Sequence, residues 1–411
     1  MKLSEYFLYT LREDPKEAES ISHKLSLKAG LLNSLASGIF SYLPLGLRVL
    51  KNIENIVRSY MDTFGAQELL MPGLQPIELW KKTGRDELLG EVMFKFDDRR
   101  QRKLCLGPTH EEIVTDLVRK YITSYKQLPV ILYQIQTKFR DEIRPRFGLV
   151  RSCEFIMKDA YSFDKDEQGL DENYKKMREA YDNIFKACDL DVIVLKADSG
   201  MMGGSDSEEF LVEADSGEDI LKFCKECNRY YKDKENCPEC KGVLEEKKAL
   251  EIGHIFKLGT KYSGVQGAGF IDSQGVKRDI IMGCYGIGVS RLLPAIIESN
   301  YDQEGIIWPK KVAPFDLELV ILGDDAQLKE TAFNIYDKLT SQGREVLIDD
   351  RNESAGVKFN DAYLLGMPYL FIMGKKNFLD NKIEVVYRKN KYKELIDIDK
   401  INEWVADNID L

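Results

Sequence analysis

The 411-residue sequence has no run of about 20 apolar residues, the length a bilayer-spanning helix requires. Its richest stretch, Leu27 to Leu50, is broken by Gly30, Ser34, Gly38, Pro44 and Gly46. No membrane helix is expected. The opening residues include Glu5, Arg12, Glu13 and Asp14, where a secretory leader would be apolar, so a cytoplasmic protein is expected. Positive charge is also short. The net charge is −10 and the pI about 5.2, so any nucleic-acid site must be a local basic patch inside an acidic field. Eight cysteines in a chain this long do not make a disulfide framework. Internal repeats and low-complexity tracts are absent.

What is present suits a folded protein of two or three domains: 44% hydrophobic and 31% charged residues, enough for substantial cores. Leu47, Leu50, Ile53, Ile56 and Val57 recur at helical spacing and stop at Gly65. Tyr174, Met177, Tyr181, Ile184, Phe185 and Cys188 form a second stripe, opened by Asp171 and Glu172. Between them, 68–71, 104–106, 131–136 and 153–157 read as strands of a mixed or antiparallel sheet. Strand character returns at 255–258, 269–271 and 280–282, then a glycine-rich turn and a helix over 289–298. Trp308-Pro309 and Ala313-Pro314 mark a linker. Beyond it strands (317–322, 346–348, 369–373, 383–387) and helices (328–339, 357–365) largely take turns, predicting a small α/β domain.

Three clusters carry possible chemistry. Arg140 and Arg151 flank a loop holding Arg144 and Arg146, on two predicted strands. Their guanidinium forks suit a polyphosphate, and Phe155 offers a flat face for a purine. Surface salt bridges fit equally well, because Asp141 and Glu142 lie beside the arginines. Gly283 to Arg291 is glycine-rich and precedes a helix, so backbone and Arg291 can approach an anion; close helix–strand packing is the alternative. It lacks the Lys-Ser/Thr ending of a P-loop. Thr109 and Glu111 offer a hydroxyl and a carboxylate to an ammonium group, while Thr109 with Glu112 also reads as a capping box.

Cys224-x-x-Cys227 and Cys237-x-x-Cys240 are two knuckles at the spacing of a four-thiolate zinc site. Four cysteines leave no open position, so the metal would be structural, letting a core-poor segment fold. Surface thiols that bind nothing are the alternative. Cys105, Cys153 and Cys188 sit in apolar settings and read as packing residues.

Together these residues resemble the class II aminoacyl-tRNA synthetases and, within them, the bacterial-type prolyl-tRNA synthetases. The resemblance is carried in order by 10–15 (TLREDP), 37–46 (SGIFSYLPLG), a motif-1-like stretch to Pro72, Thr109–Glu111, and Arg140/Glu142 with Phe155. Gly253-His254-Ile255-Phe256, Gly283 to Arg291, and a tail from Asp350 to Lys375 complete the set. It implies an α+β catalytic domain on an antiparallel sheet, a C-terminal α/β anticodon-binding domain, and a homodimer. The implied reaction joins proline to tRNA(Pro) through prolyl-adenylate, with ATP and Mg²⁺. By similarity, Arg140, Glu142, Arg151, Phe155, Gly286, Gly288 and Arg291 would bind ATP. Thr109, Glu111, Arg140, His254, Gly283 and Cys284 would bind proline. Arg140 and Arg291 would act in catalysis, Glu209 would hold Mg²⁺, and Arg351, Lys358 and Lys375 would meet the tRNA.

The implied division is 1–202 and 249–310 for the catalytic domain, 203–248 for a small insert with the cysteines, and 311–411 for the tail domain. Relatives commonly carry a large editing domain in the insert's place; this one is too short for an independent core, so no editing is expected. Glu208 stands where relatives often have histidine. A threonine enzyme is disfavoured, because with three histidines the chain lacks that family's His/Cys metal set. The rival of another class is a zinc-ribbon nucleic-acid-binding protein on an inactive synthetase scaffold.

Overall fold

The computed structural model describes residues 1–198 and 200–409. It contains two units: Ser34–Phe40 with Ile53–Ala295, and Met1–Asn33 with Ser41–Asn52 and Ile296–Leu411.

The first unit is built on a nine-stranded sheet. Its main path runs Arg229–Tyr231, Asp219–Cys224, Glu245–Gly259, Ile281–Ile287, Glu154–Asp164, Val130–Phe139 and Gln67–Glu68. Asp206–Glu213 also pairs with Glu245–Gly259 and carries Ile193–Lys196 on its other side. All pairings are antiparallel except that of Gln67–Glu68 with Val130–Phe139. Alternate residues of these strands point to opposite faces. One set, with Tyr161, Phe163, Phe256, Leu258, Met282 and Cys284, packs on Ile113, Val114 and Val118 of the helix Glu111–Tyr121.

On the helix Glu167–Ala187, Leu170, Tyr174, Met177, Tyr181, Ile184 and Phe185 are buried, the face the spacing predicts. The helix opens earlier than the acidic pair suggested, because the Asp166 carboxylate caps it by accepting from Gly169 N–H. Tyr181, Phe185 and Phe210 meet with ring centroids 5.2–5.8 Å apart, contacts worth about 0.5–1.5 kcal/mol each beyond area burial.

Three local expectations change. Residues 283–287 are not a turn: they finish the strand Ile281–Ile287, paired on both sides, and the helix Val289–Ser299 follows directly. Thr109 forms no capping box. His110 holds the cap position without a side-chain cap bond, and Thr109 Oγ1 donates to Glu111 instead. Residues 203–248, read as one insert, also divide. Asp206–Glu213 is a strand of the central sheet, and the cysteine ribbon occupies the far end of that sheet.

The second unit holds a five-stranded sheet in the order Val346–Asp349, Leu317–Leu322, Tyr369–Gly374, Lys382–Tyr387, Lys393–Asp397. The first three strands are parallel and the last two antiparallel. Ala326–Ser341 and Ile401–Asn408 supply Leu328, Ala332, Leu339, Ile401 and Val405 to its core; the first is the helix the sequence predicts, and the second, like the strand Lys393–Asp397, lies beyond its reading. The N-terminal segment belongs to this unit. The Met1 ammonium donates to Val346 O, and Thr10 and Arg12 donate to Asp361.

Candidate active site

The site grows from one hairpin. Val130–Phe139 and Glu154–Asp164 pair with Lys138 opposite Phe155 and Phe139 opposite Glu154. Arg140, just past the first strand, is pinned by its N–H to Cys153 O (2.8 Å). Its guanidinium lies over the Phe155 ring, 5.1 Å from the centroid. Arg151 closes the hairpin loop, donating to Glu142 (2.7 Å) and Glu218 (3.2 Å). Those two carboxylates raise its pKa, the Glu142 bond most.

Two more strands bring distant sequence to this place. Glu245–Gly259 carries Glu251, Gly253, His254 and Phe256; Ile281–Ile287 carries Cys284 and Gly286; Gly288 leads into Arg291. Arg291 is fixed by donating to Val150 O (3.0 Å) and Glu251 O (2.7 Å). A Cβ at Gly288 would come within 3.1 Å of Arg291 Cβ, so glycine there admits the arginine's path. Burial and the nearby Arg291 charge both lower the Arg140 pKa, burial more. Both guanidinium groups border one cavity of about 560 Å³.

At another part of the cavity wall the charge is negative. Burial alone would push Glu111 up, but Arg85 (2.9 Å) and the Thr109 hydroxyl (2.9 Å) outweigh it and hold the carboxyl below its ordinary range. Arg85 also reaches Glu112 (3.0 Å), whose burial, with the Glu111 charge, takes it up to about 7 despite Arg85. The Arg85 guanidinium sits between the rings of Trp80 and Tyr262. Beneath, Asp159 forms an ion pair with Lys138 (2.9 Å) and accepts from Gln134 (3.0 Å) and Tyr161 (2.9 Å). Lys138 also bonds His110 Nδ1 (2.7 Å), while Nε2 faces Pro72 O (3.1 Å). Burial first, then Lys138, lowers His110 to about 4, so the ring is neutral and donates to Pro72.

The cavity therefore gathers Thr109, Glu111, Arg140, Glu142, Arg151, Phe155, Glu209, His254, Cys284, Gly286, Gly288 and Arg291 of the sequence candidates. Gly283 is not on its wall. A side chain there would meet the Tyr285 and Ser162 hydroxyls on the opposite sheet face, because neighbouring strand residues alternate. Glu208 likewise turns away and pairs with Arg178 (2.9 Å). Arg85, Asp159 and Glu251 line the wall as well. Sequence reasoning assigned them no role: Arg85 stands in a charged stretch that reads as exposed surface, and nothing local marks it as buried.

Among the tail candidates, Lys375 is exposed at the start of the helix Lys375–Leu379. Lys358 is not available: it is buried and donates to Ile321 O (2.8 Å) and Asp349 O (3.1 Å). Arg351 is partly committed, to Asp349 (2.7 Å) and Asp361 (3.0 Å).

Two groups of side chains have the composition of metal sites. Cys224, Cys227, Cys237 and Cys240 hold their sulfurs within 4.8 Å of one another. Cys224–Cys240 is 3.5 Å and Cys227–Cys237 is 3.7 Å. Zinc–thiolate bonds of ~2.3 Å in a tetrahedron put sulfurs about 3.8 Å apart, so the cage fits. The Cys240 backbone N–H leads the contacts that draw the Cys237 thiol down to about 6. Glu209, Glu251 and His254 form the second group, on the cavity wall. His254 stacks on Phe256, its Nδ1 3.0 Å from Glu251, with Nε2 unpartnered.

Residues 94–300 match the family pattern of the class II tRNA synthetase core domain (G, H, P, S and T), and residues 317–408 match that of the anticodon binding domain. A proline–tRNA ligase of Halothermothrix orenii is 39% identical, over 94% of this chain and 96% of its own. One of Caldicellulosiruptor saccharolyticus is 38% identical, over 100% and 98%. The chain belongs to the proline–tRNA ligase family. Its alignments with these two members run over 543 and 566 positions, against 411 residues here, so both contain stretches with no counterpart in this chain. The fold agrees with solved members. Cryptosporidium parvum prolyl-tRNA synthetase with L-proline and AMP has a TM-score of 0.78 at 18% identity, covering 97% of this chain and 76% of that one. The Giardia lamblia synthetase with prolyl-adenylate gives 0.78 at 20%, covering 92% and 74%. With a synthetase core and its charged cavity intact, the inactive-scaffold reading is disfavoured.

Proposed function

We propose that this member of the family activates proline with ATP and transfers it to tRNA(Pro). The observation that carries the reading is the sharing of one cavity by Arg140, Arg291 and the ionised Glu111. A proline imino group fits against Glu111 and Thr109, beside Cys284, with His254 further along the wall. The triphosphate fits the arginines, and the adenine the Phe155 face.

The proline carboxylate attacks the α-phosphorus and pyrophosphate leaves, giving prolyl-adenylate. A ribose hydroxyl of the terminal tRNA adenosine then attacks the prolyl carbonyl and AMP leaves. Displacement at phosphorus needs alignment and charge neutralisation rather than a protein nucleophile. Arg140 supplies both: its fork holds the α-phosphate and the carboxylate as negative charge builds between them. Glu142 orients Arg151 against the nucleotide, Gly286 and Gly288 let its backbone path approach, and Arg291 meets the outer phosphates.

Class II synthetases use ATP with Mg²⁺. Glu209 and Glu251 offer the oxygen donors that ion takes; bound there, it would neutralise phosphate charge. The four-cysteine ribbon binds a structural Zn²⁺ in this reading, supported by its sulfur spacing. Lys375, with Arg351 where it is exposed, meets the tRNA. The molecule works in the cytoplasm as a homodimer; exposed Leu35, Leu70 and Leu74 support a partner surface on the first unit. The domain limits proposed keep 311–411 as the anticodon-binding domain and give 203–248 to the catalytic sheet, while Met1–Asn33, Ser41–Asn52 and the stretch from Ile296, read from sequence as catalytic, go with the tail unit.

The test is amino-acid-dependent ATP–pyrophosphate exchange with proline, alanine, threonine and cysteine. Exchange strongest with proline is expected; exchange with none of them would refute the reading.

A further inference from the structure

The cysteine ribbon is not an isolated ornament on the sheet, because one of its side chains reaches the active-site wall. Lys232 lies five residues after Cys227 and five before Cys237. It follows directly on the strand Arg229–Tyr231, and its ammonium pairs with the Glu209 carboxylate. Glu209 borders the cavity, 3.9 Å from His254 Nδ1, which in turn bonds Glu251. Two carboxylates thus stand close together on a wall that must accept a polyanion. Lys232 neutralises one of them from behind without itself lining the cavity.

What holds Lys232 there is unusual. The nearby core of Leu211, Leu221 and Ala249 takes in Tyr230 from the ribbon, but the stretch 232–243 contributes no buried aliphatic side chain. Its fixed points are the sulfur cage and a few bonds around it. Cys237 N–H donates to Gly242 O (2.9 Å), Tyr231 Oη lies 3.6 Å from Cys237 Sγ, and Asn236 bridges Val243. A loop with so little apolar burial keeps one conformation only if something else closes it.

We infer that Lys232 is a positioning residue for ATP binding, acting through Glu209, and that the metal in the four-cysteine ribbon holds it in place. This rests on the zinc and proline-activation readings above. The chemistry is direct. With Lys232 seated, the Glu209 side is charge-balanced and its carboxylate is aimed. With Lys232 gone, Glu209 loses the bond that aims it, so the place from which it and Glu251 would offer oxygen to the ATP-bound Mg²⁺ is no longer fixed. The proline end of the cavity, at Thr109 and Glu111, is held by Arg85 and does not depend on the ribbon.

The experiment compares Lys232→Ala, Lys232→Arg, Cys237→Ser/Cys240→Ser and the combination, as full chains, in proline-dependent exchange and in direct ATP titration by calorimetry without proline. Lys232→Ala is expected to raise the KM and Kd for ATP about tenfold and leave the KM for proline within twofold. Lys232→Arg is expected to recover most of the loss. The cysteine variant, with its zinc gone by metal analysis, is expected to show the same ATP defect, and adding Lys232→Ala to it should change little. Unchanged ATP affinity in Lys232→Ala overturns the inference. So does a zinc-free cysteine variant with wild-type ATP affinity, or one whose defect multiplies with that of Lys232→Ala. Wild-type chain measured alongside separates the premises: absent exchange removes the proline reading, and absent zinc removes the ribbon reading.

Discussion

The Arg140 guanidinium rests 5.1 Å from the centroid of the Phe155 ring. The arginine is held in place by a cation–π contact with the ring proposed to stack on adenine. Arg140→Ala is expected to lower proline-dependent exchange by two or more orders of magnitude while the melting temperature moves little, since the side chain is only half-buried. Arg140→Lys is expected to recover little, because a point charge cannot hold phosphate and carboxylate with one planar fork. Near-wild-type exchange in the alanine variant would overturn the assignment.

Arg85 makes a different kind of contribution. Its side chain is 2% exposed and bridges Glu111 and Glu112, both essentially inaccessible. Removing one partner of a buried ion pair leaves charge without compensation, at a cost of about 3–5 kcal/mol. Arg85→Met should lose stability of that order in denaturant titrations, and Glu112→Gln added to it should restore part. The KM for proline should rise in the single variant, because Glu111 then loses the bond that aims it. An Arg85→Met chain as stable as wild type would show that the bridge contributes little.

The reason such a residue escaped sequence reading is physical. Periodicity reports which face of an element is apolar: it recovered the stripe 174–188, nearly every element of the tail sheet, and Leu50, Ile53 and Val57 of the stripe 47–57, whose Leu47 is exposed. It also placed Arg140 and Arg151 on one hairpin, because they are close in sequence. Arg85 acquires meaning only through Glu111 and Glu112, 26 and 27 residues away; Asp159 does so through Gln134, 25 away, and Glu251 through Arg291, 40 away, which no local pattern encodes. Gly283 shows the converse. The motif drew it into the site with Cys284, yet the Cβ position of Gly283 faces the Tyr285 and Ser162 hydroxyls while Cys284 faces the cavity. Lys358 was read as a tRNA contact from its charge, but its ammonium is spent inside on two carbonyls.

Glu318 predicts how stability responds to pH. It is buried on the strand Leu317–Leu322, both carboxyl oxygens lacking partners, with Asp349 and Asp361 nearby and Arg351 opposing them. Burial first, then Asp349, raises it from an ordinary 4.5 to about 8. A carboxyl raised in the folded state stabilises fully below pH 4.5, and that contribution is lost as pH rises through 8. Glu318→Gln removes this slope. Its melting temperature should match wild type near pH 5 and exceed it by several degrees at pH 9. Glu112, raised to about 7, slopes in the same direction but is common to both chains and cancels in the comparison. Parallel melting curves across pH 5–9 would refute the assignment.

An editing site needs a pocket of its own, and a pocket needs a core to shape it. Between Glu213 and Glu245 this chain has two short strands and the sulfur cage, and the apolar cluster beside them borrows Leu211 and Ala249 from the catalytic sheet. Alanine fits any cavity that accepts proline, and the loss of two methylenes from the ring discriminates by only ~1–3 kcal/mol each in apolar contact. The purified chain should therefore form alanyl-tRNA(Pro) at a measurable fraction of its proline rate. It should then leave that ester to decay no faster than in buffer. Rapid release of alanine from alanyl-tRNA(Pro) by the chain alone would place a hydrolytic site somewhere in this fold.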